Sequence, residues 1–360
     1  MAIYLLLSIS AVFWGVILYV GKGSKISKKL YLIIIFSQLI VVAGLRASSV
    51  GTDTKSYIQH FKWIANTPWS KLRNYNMDLG YVFINKVVSC ITRNPQVIIF
   101  IISFITLLGF AIFIYNNSNN VYISTFLFIT LYQYCTFFNA MRQFTAVMFV
   151  CNSLFFLKKN KYLSFITLIL CATLFHKSAL VFLPLIVFNL VKNRIKCLGF
   201  IAIAGLISTA LIDKLLNIFF ILFPQYSWYK FDPYFLQPKG LDENILIWIV
   251  QLSLVLIAIY LSYSNIEITQ QEKKELYLLS VTTTISIILN LLTVKFLIIH
   301  RLNYYFYIFI IIFIPKLVKY FGKYQKFIIV LMYLSLIVYY YIMLKHNNHQ
   351  VVPYQLFTNI

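Results

Sequence analysis

Charge is scarce in this sequence, and acidic charge is the scarcest. Only 11% of the 360 residues are charged, and nine Asp and Glu residues stand against 31 Lys and Arg residues. Hydrophobic residues make up 61% of the chain and come in repeated long runs, which excludes a soluble domain. The runs lack the alternation of transmembrane β-strands. The composition therefore predicts an all-α, polytopic integral membrane protein.

Sequence signatures of metal and nucleotide sites are also missing. The five cysteines are scattered singly, with no metal-ligand or redox spacing. There is no Walker sequence, no G-x-G-x-x-G after a strand, no H-E-x-x-H and no G-x-S-x-G. We therefore expect no metal and no cofactor, and any chemistry must use an already activated substrate. The net charge of +22 does not indicate a nucleic-acid partner, because the lysines cluster in short gaps between apolar runs.

The apolar runs predict about twelve transmembrane helices in a single membrane domain, residues 1–360. A full crossing takes about 20 residues, so several of these segments are short. The predicted spans are 2–20, 30–45, 95–115, 121–138, 140–157, 162–175, 178–191, 198–220, 245–263, 276–294, 302–315 and 327–344.

Lysine density in the short gaps predicts the orientation. If the gaps near residues 22–29, 158–161, 192–196 and 316–326 are cytoplasmic, the positive-inside rule is satisfied. The external segments are then 46–94, 223–244 and 345–360. Outside the lysine gaps, the basic residues beside apolar runs then all face one compartment, which indicates a site at the outer face of the membrane.

Residues 121–157 carry one charged residue before the lysine gap, Arg142. We interpret this stretch as a helical hairpin whose turn holds Asn139, Arg142 and Gln143. An arginine near hydrocarbon costs roughly 2.5–3.5 kcal/mol by insertion scales, which an anionic ligand or a buried partner would offset. The alternative is an interfacial arginine that snorkels to lipid headgroups.

Two further external stretches carry candidate residues. Arg46 follows the second span, and Gly51, Thr52 and Asp53 precede a helix that begins near Tyr57. Arg46 is a candidate anion contact, with Asp53 as its orienting partner or as a hydroxyl acceptor. The alternative is an ordinary capped junction between loop and helix.

Residues 57–69 and 84–91 both predict short amphipathic helices in the outer interface. In the second of these, Ile84, Val87, Val88 and Ile91 define the apolar face, with Asn85 and Lys86 off that face.

His176, Asp232 and the pair His300-Arg301 complete the candidates. A histidine can donate to phosphate, act as an acid or base, or cap a helix break. Asp232 belongs to the acidic external loop 223–244 and is a candidate base, although a solvated loop has the same composition. His300 and Arg301 place another cation at an outer helix end, where snorkelling is again the alternative.

Short motifs run in order along most of the chain. They are Arg46 with Gly51-Thr52-Asp53 and Tyr57, then Met141-Arg142-Gln143, then the Phe-His-Lys-Ser-Ala-Leu run at 175–180, then His300-Arg301, and finally Val352-Pro353-Tyr354. In these motifs the chain resembles the EpsG/Wzy group of bacterial polysaccharide polymerases.

The resemblance implies a GT-C-like bundle with short external amphipathic helices, in the bacterial cytoplasmic membrane. Its activity would be that of a membrane glycosyltransferase, which joins undecaprenyl-diphosphate-linked repeat units at the outer face and releases undecaprenyl diphosphate. The product would be an O-antigen, a capsule or an exopolysaccharide. The partners implied are the lipid-linked glycans, the bilayer, a chain-length regulator and a flippase.

The resemblance also implies roles for the candidate residues. Arg142, Arg46 and Arg301 would hold the diphosphate, with Gln143, His300 and Asp232 also in the binding site. His176 matches the family's histidine, whose role there does not transfer as catalytic. The chemistry itself also needs a base for the acceptor hydroxyl, for which Asp53, Asp232 and His176 are candidates, and no metal would be needed.

Three other classes stay open at this stage. A flippase or secondary transporter for the same glycans would distribute charged residues through the midplane of the bundle. An O-antigen ligase uses the same donors and differs in its acceptor, and a membrane O-acyltransferase is the third.

Overall fold

The computed structural model describes residues 1–20, 24–72, 77–222, 224, 227, 229, 231, 245–264 and 266–357. Within these residues the chain is helical, and its sole β-type pairing is an isolated antiparallel bridge between Arg46 and Leu356. The all-α prediction is confirmed.

Eighteen α-helices are formed by the described residues. The first ten are α1 (Ala2–Val20), α2 (Lys25–Gly44), α3 (Thr54–Asn66), α4 (Trp69–Leu72), α5 (Leu79–Ile91), α6 (Pro95–Asn117), α7 (Val121–Thr130), α8 (Gln133–Asn139), α9 (Met141–Lys158) and α10 (Tyr162–Thr173). The others are α11 (Leu185–Leu190), α12 (Arg194–Ala210), α13 (Ile212–Leu222), α14 (Ile245–Tyr263), α15 (Gln270–Thr293), α16 (His300–Tyr307), α17 (Ile310–Val318) and α18 (Gln325–His346). Three 3₁₀ turns lie between them, at Lys177–Phe182, Leu297–Ile299 and Lys319–Tyr324.

The number of membrane spans is smaller than predicted. By length and composition, six helical stretches could cross a membrane: α1, α2, α6, α14, α15 and the stretch Ile310–His346. The count reaches eight if two bent pairs are each one span, α7 with α8 at 50° and α12 with α13 at 83°. Each of the twelve predicted segments does contain helix. Twelve spans are not confirmed, because segments such as α10, with 12 residues, are shorter than the roughly 20 that a crossing needs.

Capping residues fix several of the helix boundaries. Asn94 accepts a hydrogen bond from the backbone N–H of Gln96, with Pro95 in the first turn, and Asn120 accepts from Tyr122 and Ile123. Side-chain acceptors of this kind satisfy the free N–H groups of a first turn. The predicted starts of the third and fourth spans, residues 95 and 121, are therefore correct.

The amphipathic helix α5 presents the opposite face from the one predicted. Asn85 and Lys86 are buried, whereas Val87 and Ile91 are exposed. The Lys86 ammonium donates to Thr67 O at 2.8 Å, beyond the C-terminal end of α3. Because a helix beside lipid can turn its apolar face outward, its polar face is free to pack on protein. Asn85 and Lys86 lie off the predicted apolar face, as expected, but it is their side of α5, together with Val88, that is buried.

The helices fall into two compact units, Met1–Leu180 with Val318–Ile360, and Val181–Leu317. In the first unit α6 packs on α2 and α9, and α9 packs on α10. A hydrogen bond of 2.8 Å joins the hydroxyls of Thr106 and Thr145 across α6 and α9. Such small polar residues allow close approach between helices in membranes.

In the second unit α15 packs on α12, α14 and α16. Buried polar bonds join these helices: Gln251 Nε2 donates to Ser286 Oγ at 2.8 Å, and Asn303 Nδ2 donates to Asn290 Oδ1 at 2.8 Å. Both units therefore have helix contacts that combine apolar packing with hydrogen bonds. The predicted single membrane domain stays a prediction.

Candidate functional site

Arg142 lies in the first turn of α9, just after the α8–α9 break, whereas the hairpin interpretation placed it in the turn itself. Its Nη1 donates to Asp78 Oδ2 at 3.1 Å, and its guanidinium lies 5.5 Å from the centre of the Tyr81 ring. The Arg142 side chain is 29% exposed and that of Asp78 is 11% exposed. Nε and Nη2 make no hydrogen bond to any residue that the structure describes. The arginine is thus held at one nitrogen and keeps donors for a ligand.

Asp78 reaches Arg142 because α5 begins against the end of α10. The backbone N–H of Gly80 donates to Leu174 O at 2.7 Å, and a Cβ at Gly80 would lie 2.8 Å from that oxygen. Only glycine permits so close an approach. The contact places Asp78 beside Lys177. Burial raises the pKa of Asp78, while the charges of Arg142 and Lys177 oppose that rise.

His176 follows α10 at the break that the sequence predicted. Its backbone N–H donates to Ala172 O at 3.0 Å, and its Nδ1 lies 2.6 Å from Ser178 Oγ. The same turn supplies Lys177 and a backbone hydrogen bond to the Asp78 carboxylate. The motif at 175–180 and the motif at 141–143 therefore meet at Asp78.

Tyr57 joins α3 to the break between α8 and α9. Its hydroxyl donates to Asn139 O at 3.0 Å and accepts from the backbone N–H of Met141 at 3.0 Å. Burial raises the pKa of Tyr57, Asp53 raises it further, and Arg142 opposes the rise. Asp53 and Arg142 thus both act electrostatically on one buried phenol.

Arg46 is fully buried rather than open to a ligand. Its Nε donates to Thr54 Oγ1 at 3.2 Å, its Nη1 to Ala43 O, and its Nη2 contacts Met141 Sδ at 2.9 Å. The guanidinium also lies 4.5 Å from the centre of the Phe138 ring. Burial lowers its pKa to about 10, so it stays charged at neutral pH.

The predicted partners of Arg46 are replaced by others. Asp53 accepts a hydrogen bond from the Thr52 hydroxyl at 3.1 Å, and Thr54 takes the place predicted for Asp53 beside Arg46. Arg142 pairs with Asp78 and not with Arg46. The interpretation of Asp53 as the orienting partner of Arg46 was therefore wrong, because the Arg46 guanidinium donates to the hydroxyl of the next residue, Thr54.

The loop before α3 is fastened to the α8–α9 break. Gly51 has φ of +91°, and a Cβ there would lie 2.8 Å from Asn139 Oδ1. The same oxygen accepts from the backbone N–H of Thr52 at 2.9 Å. Asp53 follows directly, so the amide of Asn139 fixes its position relative to α9.

A tail segment, residues 349–357, forms hydrogen bonds with the loop before α3 and with α8. Ala47 N donates to Gln355 O at 2.8 Å, and Gly51 N donates to Gln350 O at 2.9 Å. His349 Nε2 lies 3.2 Å from Thr136 Oγ1. The order of the motifs gave no indication of these contacts, since they join positions more than 200 residues apart.

The other predicted residues lie elsewhere. Gln143 is buried within α9, at 4% exposure. His300 and Arg301 open α16 in the second unit, where the His300 ring lies 5.0 Å from that of Tyr304. Asp232 lies outside the described residues. Among the described residues, no group of three His, Cys, Asp or Glu side chains could hold a metal ion.

Asp78 is the site residue that sequence reasoning missed. The available signal was its rarity: residues 1–180 and 318–360 contain only two acidic residues, Asp53 and Asp78. In an apolar unit with many cations, a rare carboxylate indicates a functional site. Both lie in this site.

The site is thus a cluster of Arg142, Asp78, Lys177, Tyr57 and Asp53 at the junction of three helix ends. Comparison with known proteins gives no match among proteins of curated function and none among solved structures. A family model, the EpsG family, matches residues 29–356, which is almost the whole sequence. The chain belongs to the EpsG family.

Proposed function

We propose that this membrane protein is a polysaccharide polymerase. It transfers a growing glycan from undecaprenyl diphosphate onto a new lipid-linked repeat unit and releases undecaprenyl diphosphate. Its family supports a role in polysaccharide synthesis. The observation that carries the chemistry is the Arg142–Asp78 pair, with part of the guanidinium exposed and two of its nitrogens unused by described residues.

Arg142 would bind the diphosphate of the donor. When the bond between the anomeric carbon and the diphosphate oxygen breaks, negative charge grows on the leaving group. A guanidinium matches phosphate oxygens with fork-shaped donors, and a preorganised donor stabilises that developing charge. Asp78 holds one edge of the fork, and the N-terminus of α9 adds the positive end of a helix dipole.

The acceptor hydroxyl attacks the anomeric carbon and must lose its proton. We assign Asp53 as the base, because it is partly exposed and its hydrogen-bond donor in the structure is a neutral hydroxyl. Asp78 is already engaged in its ion pair with Arg142, so in this proposal it orients the guanidinium and does not take the proton. His176 and Lys177 would contact the diphosphate from the turn after α10.

The remaining candidates have supporting or separate roles in this proposal. Arg46 would hold the α8–α9 break in place from within the protein, since its side chain is fully buried. Gln143, His300, Arg301 and Asp232 stay predictions as substrate contacts.

We further propose that the site faces the outside of the bacterial cytoplasmic membrane, in a GT-C-like bundle. The lysine gaps support this orientation. Reporter fusions after Asn160, Asn193 and Lys323 should read cytoplasmic, and a fusion after Asn66 should read external. A consistent reversal would contradict the orientation.

Arg142→Lys tests the diphosphate role. Lysine keeps the charge but offers a point charge in place of a fork, so polymer synthesis should fall about a hundredfold, or ~3 kcal/mol. Single lipid-linked repeat units should accumulate at the outer face. The measurement is polymer ladder length in membranes with matched protein levels.

Arg93→Lys is the matched control. Arg93 Nη1 donates to Ala65 O at 2.8 Å, a bond to a carbonyl that a lysine can also make, and its ladders should be near normal. Near-normal ladders from Arg142→Lys as well would indicate a snorkelling arginine, because lysine snorkels equally well. Loss of the repeat units from the outer face would instead indicate a flippase.

A further inference from the structure

A basic cavity lies within the second unit, apart from every residue assigned a role above. Its volume is about 540 Å³, and it is lined by the start of α12, the end of α14 and the first turns of α15. Three cations line it, Lys192, Arg194 and Lys273. A cavity of this volume lies within the range of small-molecule sites, roughly 300–1,000 Å³.

No carboxylate that the structure describes lines this cavity. Of the described acidic residues of this unit, Glu275 pairs with Lys316, Asp213 pairs with Lys295, Glu272 closes a capping box with Thr269, and Glu267 does not line the cavity. None of the ion pairs formed by described residues includes Lys192, Arg194 or Lys273. Cations gathered without acidic partners repel one another, and an anion would remove that cost.

The backbone adds positive potential to the same space. Arg194 is the first residue of α12 and Gln270 is the first of α15, so two helix N-termini meet at the cavity. Asn193 and Thr269 each cap one N–H of these helix starts, and the remaining part of each N-terminal dipole adds positive potential. The Arg194 guanidinium lies 5.9 Å from the centre of the Tyr277 ring, a contact that limits its freedom.

We propose that this cavity binds a phosphate group. Three cations supply the donors that a phosphate accepts, and two helix ends add positive potential. The cavity has room for more than the phosphate itself. Its ligand is either the headgroup of an anionic phospholipid or a soluble phosphorylated molecule. Basic pockets between transmembrane helices bind anionic lipid headgroups in the same way. This inference does not depend on the proposed polymerase activity.

The test uses the full chain in neutral detergent with two probes. Native mass spectrometry measures retained phosphatidylglycerol, with phosphatidylcholine as the neutral reference, and thermal unfolding measures stabilisation by inorganic phosphate. Lys273→Gln removes a lining cation that forms no ion pair with a described residue, so the fold should persist. Losing one charge-assisted bond should weaken binding about tenfold.

Arg194→Gln is the second variant, and Lys196→Gln is the matched control. Lys196 lies in the same gap but does not line the cavity. Phosphatidylglycerol retention that falls in Lys273→Gln and Arg194→Gln but not in Lys196→Gln supports a lipid ligand. Stabilisation by inorganic phosphate with the same pattern supports a soluble one. Equal behaviour of the wild type, Lys273→Gln and Lys196→Gln with both probes would overturn the site.

Discussion

Each unit contains an arginine beside a tyrosine ring, but the charged groups around the two arginines differ. Each places an arginine in the first turn of a helix against a tyrosine ring, Arg142 at 5.5 Å from Tyr81 and Arg194 at 5.9 Å from Tyr277. Arg142 has a carboxylate at 3.1 Å, whereas Arg194 shares its cavity with two other cations. An arginine in an ion pair is held in one orientation, and the pair as a whole has little net charge. Such a preorganised donor suits negative charge that develops during a reaction. An unpaired group of cations attracts charge that is already present, which suits binding.

Asp78→Asn should have the largest effect on this difference between the units. It removes the carboxylate partner of Arg142 and leaves an unpaired cation like Arg194. The amide keeps the shape but loses the charge, so the guanidinium is held less firmly. We expect polymer synthesis to fall about thirtyfold, or ~2 kcal/mol, the loss of one charge-assisted bond. Ladder length at matched protein levels is the measurement.

The conservative variant Asp78→Glu is the control for Asp78→Asn and should restore part of the activity. Equal loss in both variants would indicate that Asp78 acts through its size and not through its charge.

Gly51→Ala compares a loop of the first unit with a helix of the second. Gly51 has φ of +91° and faces Asn139 Oδ1, so alanine should lower the free energy of unfolding by about 1–2 kcal/mol. Gly199 lies in α12 with no atom within 4 Å of a built Cβ, so Gly199→Ala should raise it by about 0.5 kcal/mol. Thermal unfolding in detergent measures both. The same sign for both variants would contradict the strain at Gly51.

Gln270→Glu makes the reverse change in the second unit, because it adds a carboxylate to the basic cavity. Phosphate binding should weaken about fivefold, which corresponds to ~1 kcal/mol. Gln271→Glu is matched to it, since the next residue of the same helix start gains the same charge without lining the cavity. Equal weakening by the two variants would mean that net charge, and not the cavity, controls binding.

Acidification is the mildest way to break the Arg142–Asp78 pair. Burial raises the pKa of Asp78, so its carboxylate takes up a proton at a higher pH than in the unfolded chain. Polymer synthesis should fall about twofold as the pH drops to that pKa, where half of the pairs are lost.

Stability should move the other way at this residue. A raised carboxyl pKa means that the folded state binds the proton more tightly, so protonation of Asp78 favours folding as the pH falls.

The control for the effect on synthesis is the pH profile of Asp78→Asn, which should lack the acidic decline in polymer synthesis. An unchanged decline in that variant would assign the titration to another group.

Much of the helix pattern could be predicted from the sequence. The boundaries of α1, α6 and α9 match the predicted spans closely, because apolar runs end there at Asn, Pro or Lys. The bend between α7 and α8 was not predictable in this way. It occurs at Tyr132, which has φ of +66° without a glycine or proline to signal it.

The site was predictable only in part, for a physical reason. Arg142, His176 and Asp53 are visible because each interrupts an apolar run or caps a helix. Asp78 meets Arg142 only because Gly80 docks on Leu174, a contact between segments about 90 residues apart. Periodicity shows that α5 has two faces but not which of them meets the protein, since lipid accepts the apolar one.

The tail segment imposes an order of events on biosynthesis. Residues 349–357 leave the ribosome after every described helix, yet they supply hydrogen-bond partners to Ala47 and Gly51, made about 300 codons earlier. The loop that presents Asp53 therefore waits for the end of translation before its last contacts form. A chain terminated after α18 would keep its helical sequence and lack those contacts, so under the proposed function we expect nascent and nonsense-truncated copies to make no polymer.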